Sequence, residues 1–383
     1  MIVAHTSYSW LPRTQNWMYN QVRSLPKDIQ VHIFCEKLLN SREFSLPSIH
    51  CFPNTYPLLY LIDKIKEKLN VSNSFDVAID LAKKLKIDLL HSHFANNGWQ
   101  YINVVKKLRL KHVVTFYGYD VNMLPTQYTI WRKRYQELFH SASLFCCEGN
   151  HMAGCLEKLG CSRNKIRMQH LGVDCYQKEF RLRFWERNKP FRILMAATFQ
   201  EKKGIPYGLE ALGELAKKVP IEITIIGDAN LEPETKIEKK NILKIIEQCR
   251  LGSCIKMLGY QPYSTLLKES YQHHLFLAPS CTAKNGDTEG GAPVTILEMM
   301  AVGLPVVSTF HCDIPEQVLH EKTGRLAQER DVEGLLQQIL WFIDHYNSSL
   351  FLEMMGLARK RVEDEFNIQK QGEMLAEIYR SLF

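Results

Sequence analysis

The stretch TEGGAPVTILEMMAVGLPVVST, residues 288–309, runs from a glycine-rich loop into a helix and then into a β-branched strand. Pro293 suits the first helical position, because its missing N–H would be unpaired there, and Gly303 predicts the helix end. Gly290 and Gly291 let a backbone approach a ligand closely, and the N–H groups at a helix start attract oxygen atoms of phosphates or sugar hydroxyl groups. The stretch therefore predicts either a ligand-binding loop or an ordinary strand–helix connection.

The same alternation of strands and helices extends over the whole chain. Short apolar runs predict buried strands, among them MIVAHTS, IDLLHSHF and SLFCCEG in the first half and FRILMAAT, IEITIIGD and HLFLAPS in the second. Helical spacing between such runs, as in FDVAIDLAKKLK, predicts an α/β fold with parallel sheets. Because 383 residues exceed what one hydrophobic core usually organises, we expect two doubly wound, Rossmann-like domains. The segment 172–191 lacks periodicity and predicts a linker, with the boundary near residue 185.

A second loop, in the stretch MAATFQEKKGIPYGLEAL, strengthens the ligand-binding interpretation. Lys202, Lys203 and Gly204 follow a predicted strand and precede a predicted helix. Their ammonium groups would lie at the carboxyl end of the strand, where α/β sheets bind ligands and where a diphosphate could be held. Lysines at a helix start are disfavoured by the helix dipole, which indicates an anion between them. A solvated lysine pair is the alternative.

Composition and charge narrow the class of protein. No run approaches the roughly 20 apolar residues that span a bilayer, the amino terminus lacks a signal core, and the 11 scattered cysteines favour reduced thiols, so we expect a cytoplasmic protein. Residues 1–180 carry 23 Lys and Arg against 14 Asp and Glu, whereas the remainder carries 25 against 27. The basic first half predicts an anionic partner, such as phospholipid headgroups, a phosphorylated acceptor or nucleic acid, or else a solvated helix face. The linker mixes arginines with Phe180, Phe184 and Trp185, which indicates a membrane-surface patch or ordinary packing.

Two common α/β enzyme classes are poorly supported. No G-x-G-x-x-G follows the first strand, as a dinucleotide oxidoreductase would require, and no G-x-x-x-x-G-K-[ST] indicates a P-loop.

The motifs together resemble glycosyltransferase family 4, whose members have the GT-B fold, and in particular its bacterial exopolysaccharide and lipopolysaccharide enzymes. The resemblance covers nearly the whole chain, from LPRTQNWMYNQVRSL through IDLLHSHFA, VVTFYGYDV, EKKG, IIGD, LAPS and EGGAPVTILEMMAVGLPVVST to RVEDEFNIQKQGEMLAEIY. It implies an N-terminal acceptor domain, residues 1–185, joined by a terminal helix at about 367–383, and a C-terminal nucleotide-sugar domain, residues 186–366. The two Rossmann-like domains would face a central cleft.

The resemblance also implies the reaction and its residues. A hexosyl group would pass from a nucleotide-sugar to an acceptor with retention at the anomeric carbon and without a metal or other cofactor. Glu289 would face the donor sugar, Glu298 would hold the ribose, and Lys203 would neutralise the diphosphate leaving group. The remaining residues expected at the donor are Lys202, Tyr260, Ser280, Gly290, Gly291, Ala292 and Pro293.

The sequence departs from the family pattern at three places. Eight residues separate Glu289 from Glu298, where relatives usually have seven. Thr198 stands where an arginine commonly precedes the conserved lysine, so one diphosphate cation is missing. Tyr117 replaces a histidine that contacts the transferred sugar; it would orient the sugar rather than act as a general base. Asp120, nearby, is expected to be structural.

Two histidines and the first loop supply the acceptor-side candidates. His91 and His93 share a face of a strand, as metal ligands would, but no third ligand has metal-like spacing, so we expect no metal site. We expect His93 to line the cleft and Arg13, Thr14 and Gln15 to bind the acceptor.

We therefore expect a retaining glycosyltransferase of bacterial surface polysaccharide synthesis that uses a glycan or lipid-linked glycan acceptor. Its basic N-terminal domain would dock peripherally on the inner membrane face, and no nucleic acid would take part. The alternatives are a sugar-nucleotide epimerase or hydrolase and a non-catalytic binding protein of the same fold.

Overall fold

The computed structural model describes residues 1–12, 15–41, 44–69 and 75–383 and consists of two compact units. Unit 1 comprises Met1–Gly172 together with Ile368–Phe383, and unit 2 comprises Val173–Asn367.

Unit 1 is built on a parallel sheet. Its strands are β1 (Ile2–Trp10), β2 (Gln30–Leu38), β3 (Ile49–Cys51), β4 (Leu89–His93), β5 (Lys111–Thr115), β6 (Leu144–Cys147) and β7 (Ile166–Met168). Within the described residues they form a seven-stranded sheet in the order β3-β2-β1-β4-β5-β6-β7, and every pairing is parallel. The predicted doubly wound sheet is confirmed; the three-residue β3 was not predicted, because it is too short to show a periodicity.

Helices cover both faces of this sheet. They are α1 (Asn16–Arg23), α2 (Phe52–Thr55), α3 (Pro57–Lys68), α4 (Asp76–Leu85), α5 (Ala95–Gln100), α6 (Ile102–Leu108), α7 (Leu124–Gln127), α8 (Ile130–Ser141) and α9 (Asn150–Lys158). Alternating strand residues point to opposite faces: Val3 packs with Leu375 and Tyr379 of the chain's last helix, whereas Ala4 packs with the layer that holds α4 and α6.

Unit 2 repeats the architecture. Its strands are β8 (Phe191–Ala196), β9 (Ile221–Ile226), β10 (Ile255–Met257), β11 (Leu275–Leu277), β12 (Val306–Thr309) and β13 (Arg325–Ala327), and its helices are α10 (Ile205–Ala216), α11 (Pro233–Gln248), α12 (Tyr263–Ser270), α13 (Val294–Ala301), α14 (Ile314–Gln317), α15 (Val332–His345) and α16 (Ser349–Glu365). In the described part of the unit these strands form one parallel sheet, ordered β10-β9-β8-β11-β12-β13. The last helix, α17 (Ile368–Arg380), belongs to unit 1.

The segment expected to be a linker is packed onto unit 2 from Val173 onwards. The buried Arg183 guanidinium donates hydrogen bonds to the carbonyl oxygens of Val302 and Ser270, at 2.5 and 2.7 Å. The indole of Trp185 is also buried and packs against Phe191 at 5.0 Å between ring centroids. These contacts are those of ordinary packing, so the segment's buried arginine and tryptophan are not part of an exposed surface patch.

Among the described residues, no helix combines the length and the apolar character that crossing a bilayer requires. All eleven cysteines are free thiols, as expected from their scattered positions.

Buried histidines are expected to make unit 1 sensitive to acid. Burial lowers the pKa of both His93 and His112 to about 3, so each stays neutral in the folded protein where an unfolded histidine, with a pKa near 6.5, binds a proton. The folded-state pKa is depressed, so stability is lost as the pH falls below about 6.5 and the loss continues towards pH 3. We expect these two residues to remove about 4 kcal/mol of unfolding free energy between pH 7 and pH 5.

Urea unfolding followed by circular dichroism at pH 7, 6 and 5 measures this loss. NMR of the imidazole ring protons provides the control, since His93 and His112 of the folded protein should not titrate over that range. Ring resonances of both residues that titrate near pH 6.5 in the folded state would contradict the prediction.

Candidate functional site

The turn between β8 and α10 places two lysines beside the neighbouring strand β11. Glu201–Lys203 form one 3-10 turn, and Gly204 follows with a φ of +62°. A Cβ atom on Gly204 would lie only 1.9 Å from the carbonyl oxygen of Pro279, so glycine is required both by the backbone angle and by the close approach. The amide of Cys281 donates to the carbonyl of Lys202 at 2.8 Å. The EKKG loop is therefore held firmly against the segment that follows β11.

Lys203 and Glu289 meet at this edge of the sheet. The Lys203 Nζ lies 2.9 and 2.7 Å from the two carboxylate oxygens of Glu289, and the Ser280 hydroxyl donates to Glu289 Oε1 at 2.7 Å. The Glu289 side chain is 6% exposed and that of Lys203 is 21% exposed. Beside them a small cavity of about 30 Å³ is lined by Lys203, Ser280 and Pro293. The structure thus joins three of the residues predicted for the donor.

The charge of Glu289 depends on its neighbours. Burial alone raises the pKa of its carboxyl group, but the ammonium groups of Lys203 and Lys202 and the Ser280 hydroxyl outweigh burial and lower it below its usual value. The pair is therefore a carboxylate and an ammonium in a mostly buried setting, where the loss of one partner leaves an uncompensated charge.

Lys202 has a different partner from Lys203. Its ammonium lies 3.1 Å from a carboxylate oxygen of Asp287 and donates to the carbonyl oxygen of Thr288 at 3.0 Å. Its side chain is 13% exposed. Lys202 therefore ties the EKKG loop to the loop before Glu289, which excludes the alternative of a solvated lysine pair.

The glycine-rich loop differs in detail from the prediction. Pro293 is the N-cap of α13 rather than its first helical residue, because its ψ of 123° is extended, and the helix begins at Val294. Gly290 adopts a φ of +79°, as a tight loop requires, and its N–H donates to the Thr288 hydroxyl at 3.0 Å. Gly303 ends the helix with a φ of +77°, as predicted.

Two further residues hold Glu289 in place and were missed by the sequence analysis. The N–H of Glu289 donates to His311 Nε2 at 3.1 Å, so the ring proton of His311 lies on Nδ1, which is 2.6 Å from Glu329 Oε1. Glu329 also accepts from the Thr282 N–H at 2.7 Å. His311 stands two residues after the stretch 288–309, just past the end of a predicted strand. That position is the sequence feature that could have indicated a site residue.

Glu298 lies on α13 in a separate polar environment. Its side chain is buried, and burial raises the carboxyl pKa against the opposing effects of the Lys178 charge and the Tyr263 hydroxyl, which donates to it. The ring of Tyr263 lies 5.7 Å from the Lys178 ammonium. The carboxylates of Glu298 and Glu289 therefore have different partners.

Thr198 and Tyr260 contact each other at a further point of unit 2. The Tyr260 hydroxyl lies 3.5 Å from Thr198 Oγ1, and the tyrosine is 38% exposed. Tyr260 is therefore not a core aromatic, and its assignment to the donor stays a prediction.

In unit 1, the side chains of Tyr117 and His93 are hydrogen-bonded. The Tyr117 hydroxyl lies 2.7 Å from His93 Nδ1, and both side chains are buried. The ring of Trp17, on α1, lies 4.2 Å from the Tyr117 ring. Gln15 is the N-cap residue of α1, and Trp17 lies in the first turn of that helix. Arg13 and Thr14 lie outside the described residues, so their assignment to the acceptor stays a prediction.

Asp120 is hydrogen-bonded to the backbone of Tyr117. Its carboxylate accepts from the N–H groups of Ala95 and Tyr117, at 2.7 and 2.9 Å, and its side chain is fully buried. Burial raises its pKa to about 6, although the backbone hydrogen bonds oppose the shift. Asp120 thus has the structural role expected of it.

His5 completes a cluster of three histidines that the strand spacing did not reveal. In the described part of the chain, His5, His91 and His93 have potential ligand atoms within 4.8 Å of one another. The rings already take part in hydrogen bonds: His5 Nδ1 to His93 Nε2 at 3.0 Å, and His91 to the hydroxyl groups of Tyr379 and Thr115 at 2.5 and 2.6 Å. The histidine rings are therefore hydrogen-bonded to one another and to neighbouring hydroxyl groups. The expected absence of a metal stays a prediction.

Comparison with known proteins extends over both units. The family model described as Glycosyltransferase Family 4 matches residues 14–177, and the model described as Glycosyl transferases group 1 matches residues 177–353. The chain is 31% identical over 356 residues to WcaL of Escherichia coli (strain K12), which is named for colanic acid biosynthesis, and the match covers 90% of this chain and 83% of WcaL. It is 32% identical to the amylovoran biosynthesis glycosyltransferase AmsK of Erwinia amylovora, over 77% of this chain and 70% of AmsK.

A solved structure shares the fold. HepE of Anabaena, in complex with UDP and glucose, superposes with a TM-score of 0.77 at 15% sequence identity and covers 100% of both chains. The likeness confirms the predicted pair of Rossmann-like parallel sheets. Because the identity to WcaL and AmsK extends over most of their lengths and both halves match family models, this chain belongs to glycosyltransferase family 4, among the transferases of exopolysaccharide biosynthesis.

Proposed function

We propose that the protein transfers a hexosyl group from a nucleotide-sugar to a lipid-linked glycan acceptor, with retention at the anomeric carbon. The observation that carries the proposal is the Lys203–Glu289–Ser280 group, which puts an ammonium and a carboxylate side by side at the carboxyl end of the unit 2 sheet. The three residues of this group stand on the motifs EKKG, LAPS and EGGAP, which match the family pattern. HepE, of the same fold, binds UDP and UDP-glucose, which supports a nucleotide-sugar donor.

Lys203 has the central electrostatic role in this proposal. Departure of the nucleoside diphosphate leaves negative charge on its outer phosphate, and a mostly buried ammonium stabilises such charge more strongly than an exposed one. Lys203 would turn from Glu289 to the diphosphate, and Glu289 would then accept hydrogen bonds from hydroxyl groups of the donor sugar. The Ser280 hydroxyl, already bound to Glu289, keeps the carboxylate in position.

The charge balance supports a mechanism without a metal. Lys202 and Lys203 flank the site, and α13 begins directly behind the glycine-rich loop, so a cation and helix amides are at hand for the leaving group. Thr198 supplies no charge, so Lys203 and the helix amides would stabilise the leaving group without the arginine that relatives have at that position.

Tyr117 would orient the transferred sugar, and His93 would lie on the acceptor side. Burial raises the pKa of Tyr117 well above its usual value, so its hydroxyl stays protonated and donates hydrogen bonds rather than accepting a proton as a base. The proton of the acceptor hydroxyl would pass to an oxygen of the departing phosphate, as a retaining reaction without an enzymic base requires. Unit 1 would thus hold the acceptor, at the cytoplasmic face of the membrane.

A panel of sugar nucleotides tests the proposal by following nucleotide release with and without candidate lipid-linked acceptors. We expect release to depend on the acceptor, the new linkage to keep the donor's anomeric configuration by NMR, and treatment with EDTA to change the rate by less than about twofold.

Each alternative predicts a different result in that assay. Acceptor-independent turnover would indicate an epimerase or hydrolase, and a chain that binds neither UDP nor GDP in calorimetry would be a non-catalytic protein. Activity that EDTA abolishes and one divalent ion restores would contradict the metal-free mechanism and direct attention to the three histidines.

A further inference from the structure

Helix α3 presents an apolar stripe to solvent. Leu58, Leu61, Ile62, Ile65 and Leu69 are 72, 55, 39, 49 and 66% exposed. The spacing from Leu58 is three, four, seven and eleven residues, which places all five side chains along one face of the helix and its C-cap. Contiguous apolar surface of this kind marks a surface that binds a partner or a membrane, whereas single exposed leucines do not.

Three polar side chains of α3 bind groups of the neighbouring elements and so face inwards, whereas the apolar stripe faces the solvent. The Tyr60 hydroxyl and the Lys64 ammonium both bind Glu36 Oε2, at 2.6 and 2.9 Å. Asp63 is 4% exposed and accepts from the Val77 N–H at 2.9 Å.

These hydrogen bonds and ion pairs fix which side of α3 faces the solvent. Because the polar residues are used to hold the helix on β2 and α4, the apolar side is left outside. A helix rotated to bury its leucines would break these bonds, so the exposed stripe is built into the fold rather than caused by loose packing.

Lysines lie beside the carboxyl-terminal half of the stripe and indicate what covers it. Lys66 and Lys107, of α3 and α6, lie 2.8 and 3.9 Å from the Asp76 carboxylate, so both are near the carboxyl end of the stripe, where Lys68 is exposed. Lys106 shares with Lys64 and Glu67 the lining of a cavity of about 250 Å³ behind α3.

The first half of the chain is also positively charged, with 23 Lys and Arg against 14 Asp and Glu over residues 1–180. Apolar side chains with lysines beside them match an anionic bilayer, whose acyl boundary accepts the leucines while its headgroups attract the lysines. A second copy of the chain would instead bring lysines against lysines.

We propose that α3 docks unit 1 on an anionic membrane surface by inserting its stripe at the headgroup boundary. This docking would bring the enzyme to an acceptor carried by a membrane lipid. Only this use of the docking rests on the proposed function; the membrane binding itself does not.

Sedimentation with vesicles tests the docking on the full chain. The test variant is Leu58→Ser/Leu61→Ser/Ile65→Ser, and the matched control is Leu231→Ser/Ile237→Ser/Leu243→Ser, which removes three exposed apolar residues from unit 2. The vesicles are phosphatidylcholine alone or with about one third phosphatidylglycerol, at low and high salt. We expect the wild type and the control to bind anionic vesicles more tightly at low salt, and the stripe variant to bind at least about tenfold more weakly.

Three results would overturn the docking. The first is vesicle binding by the stripe variant equal to that of the wild type. The second is binding that ignores both lipid charge and salt. The third is a change in the variant's oligomeric state, measured by sedimentation velocity, with vesicle binding unchanged, which would assign the stripe to a second copy. Calorimetry with UDP keeps the two proposals apart, since UDP binding without vesicle binding would refute the docking alone.

Discussion

Lys203→Ala is expected to lower the rate of sugar transfer by more than about a hundredfold, which corresponds to roughly 3 kcal/mol of activation free energy. The Lys203 ammonium is 21% exposed and lies within 2.9 Å of both oxygens of Glu289. Its removal takes away the charge that would stabilise the departing diphosphate. It also leaves the buried Glu289 carboxylate without its main partner, so the pKa of Glu289 should rise in the variant.

Steady-state kinetics with donor and acceptor measure the effect, and Lys202→Ala is the matched control. Lys202 has the same charge one residue earlier but binds Asp287 and the Thr288 carbonyl, so we expect its loss to lower the rate by less than about tenfold.

The double variant Lys203→Met/Glu289→Gln separates lost catalysis from a disturbed site, because it removes both charges together. The uncompensated Glu289 carboxylate should lower the melting temperature of Lys203→Ala. We expect the double variant to regain that thermal stability but not the rate of sugar transfer. Kinetics of Lys203→Ala close to those of the wild type would show that the ammonium is not at the leaving group.

Glu298→Ala is expected to weaken nucleotide binding by roughly ten- to a hundredfold, since hydrogen bonds to a charged group contribute about 1.5–3 kcal/mol. The Glu298 carboxylate is 5% exposed and its pKa is raised by burial. A carboxylate that holds the ribose must be ionised to accept both hydroxyl protons, so nucleotide affinity should also fall as the pH drops through this raised pKa.

Calorimetric titration with UDP and GDP over a range of pH measures this affinity. Glu289→Gln is the comparison, because Glu289 is assigned to the sugar and not to the nucleoside; its affinity for UDP should stay within about threefold of the wild type while its turnover falls. A Glu298→Ala protein that folds normally and binds nucleotide as tightly as the wild type would remove Glu298 from the donor site.

The loop at Pro293 shows how far local sequence reasoning extends. Gly290, Gly303 and Gly204 were each placed correctly at turns or helix ends, because a positive φ is a local property that glycine tolerates. The first helical residue was missed by one position, since Pro293 is compatible with both the N-cap and the first turn and only its ψ distinguishes them.

The histidines show the opposite case. His91 and His93 share a face of β4 by their spacing, and this was visible in the sequence, but His5 reaches them only because β1 pairs with β4 in parallel register, with His5 opposite His91. Likewise, His311 and Glu329 hold Glu289 through a contact between two loops that the chain reaches 22 and 40 residues after it.

The sequence by itself determined the alternation of strands and helices, the two parallel sheets, the family and the motifs that carry the proposed donor site, because hydrophobic periodicity and glycine positions act over a few residues. Only the tertiary structure decided which charges are partners and which face of α3 is exposed. Those outcomes depend on contacts between residues far apart in the chain, such as Lys203 with Glu289 and Tyr379 with His91, and on burial, which no local pattern encodes.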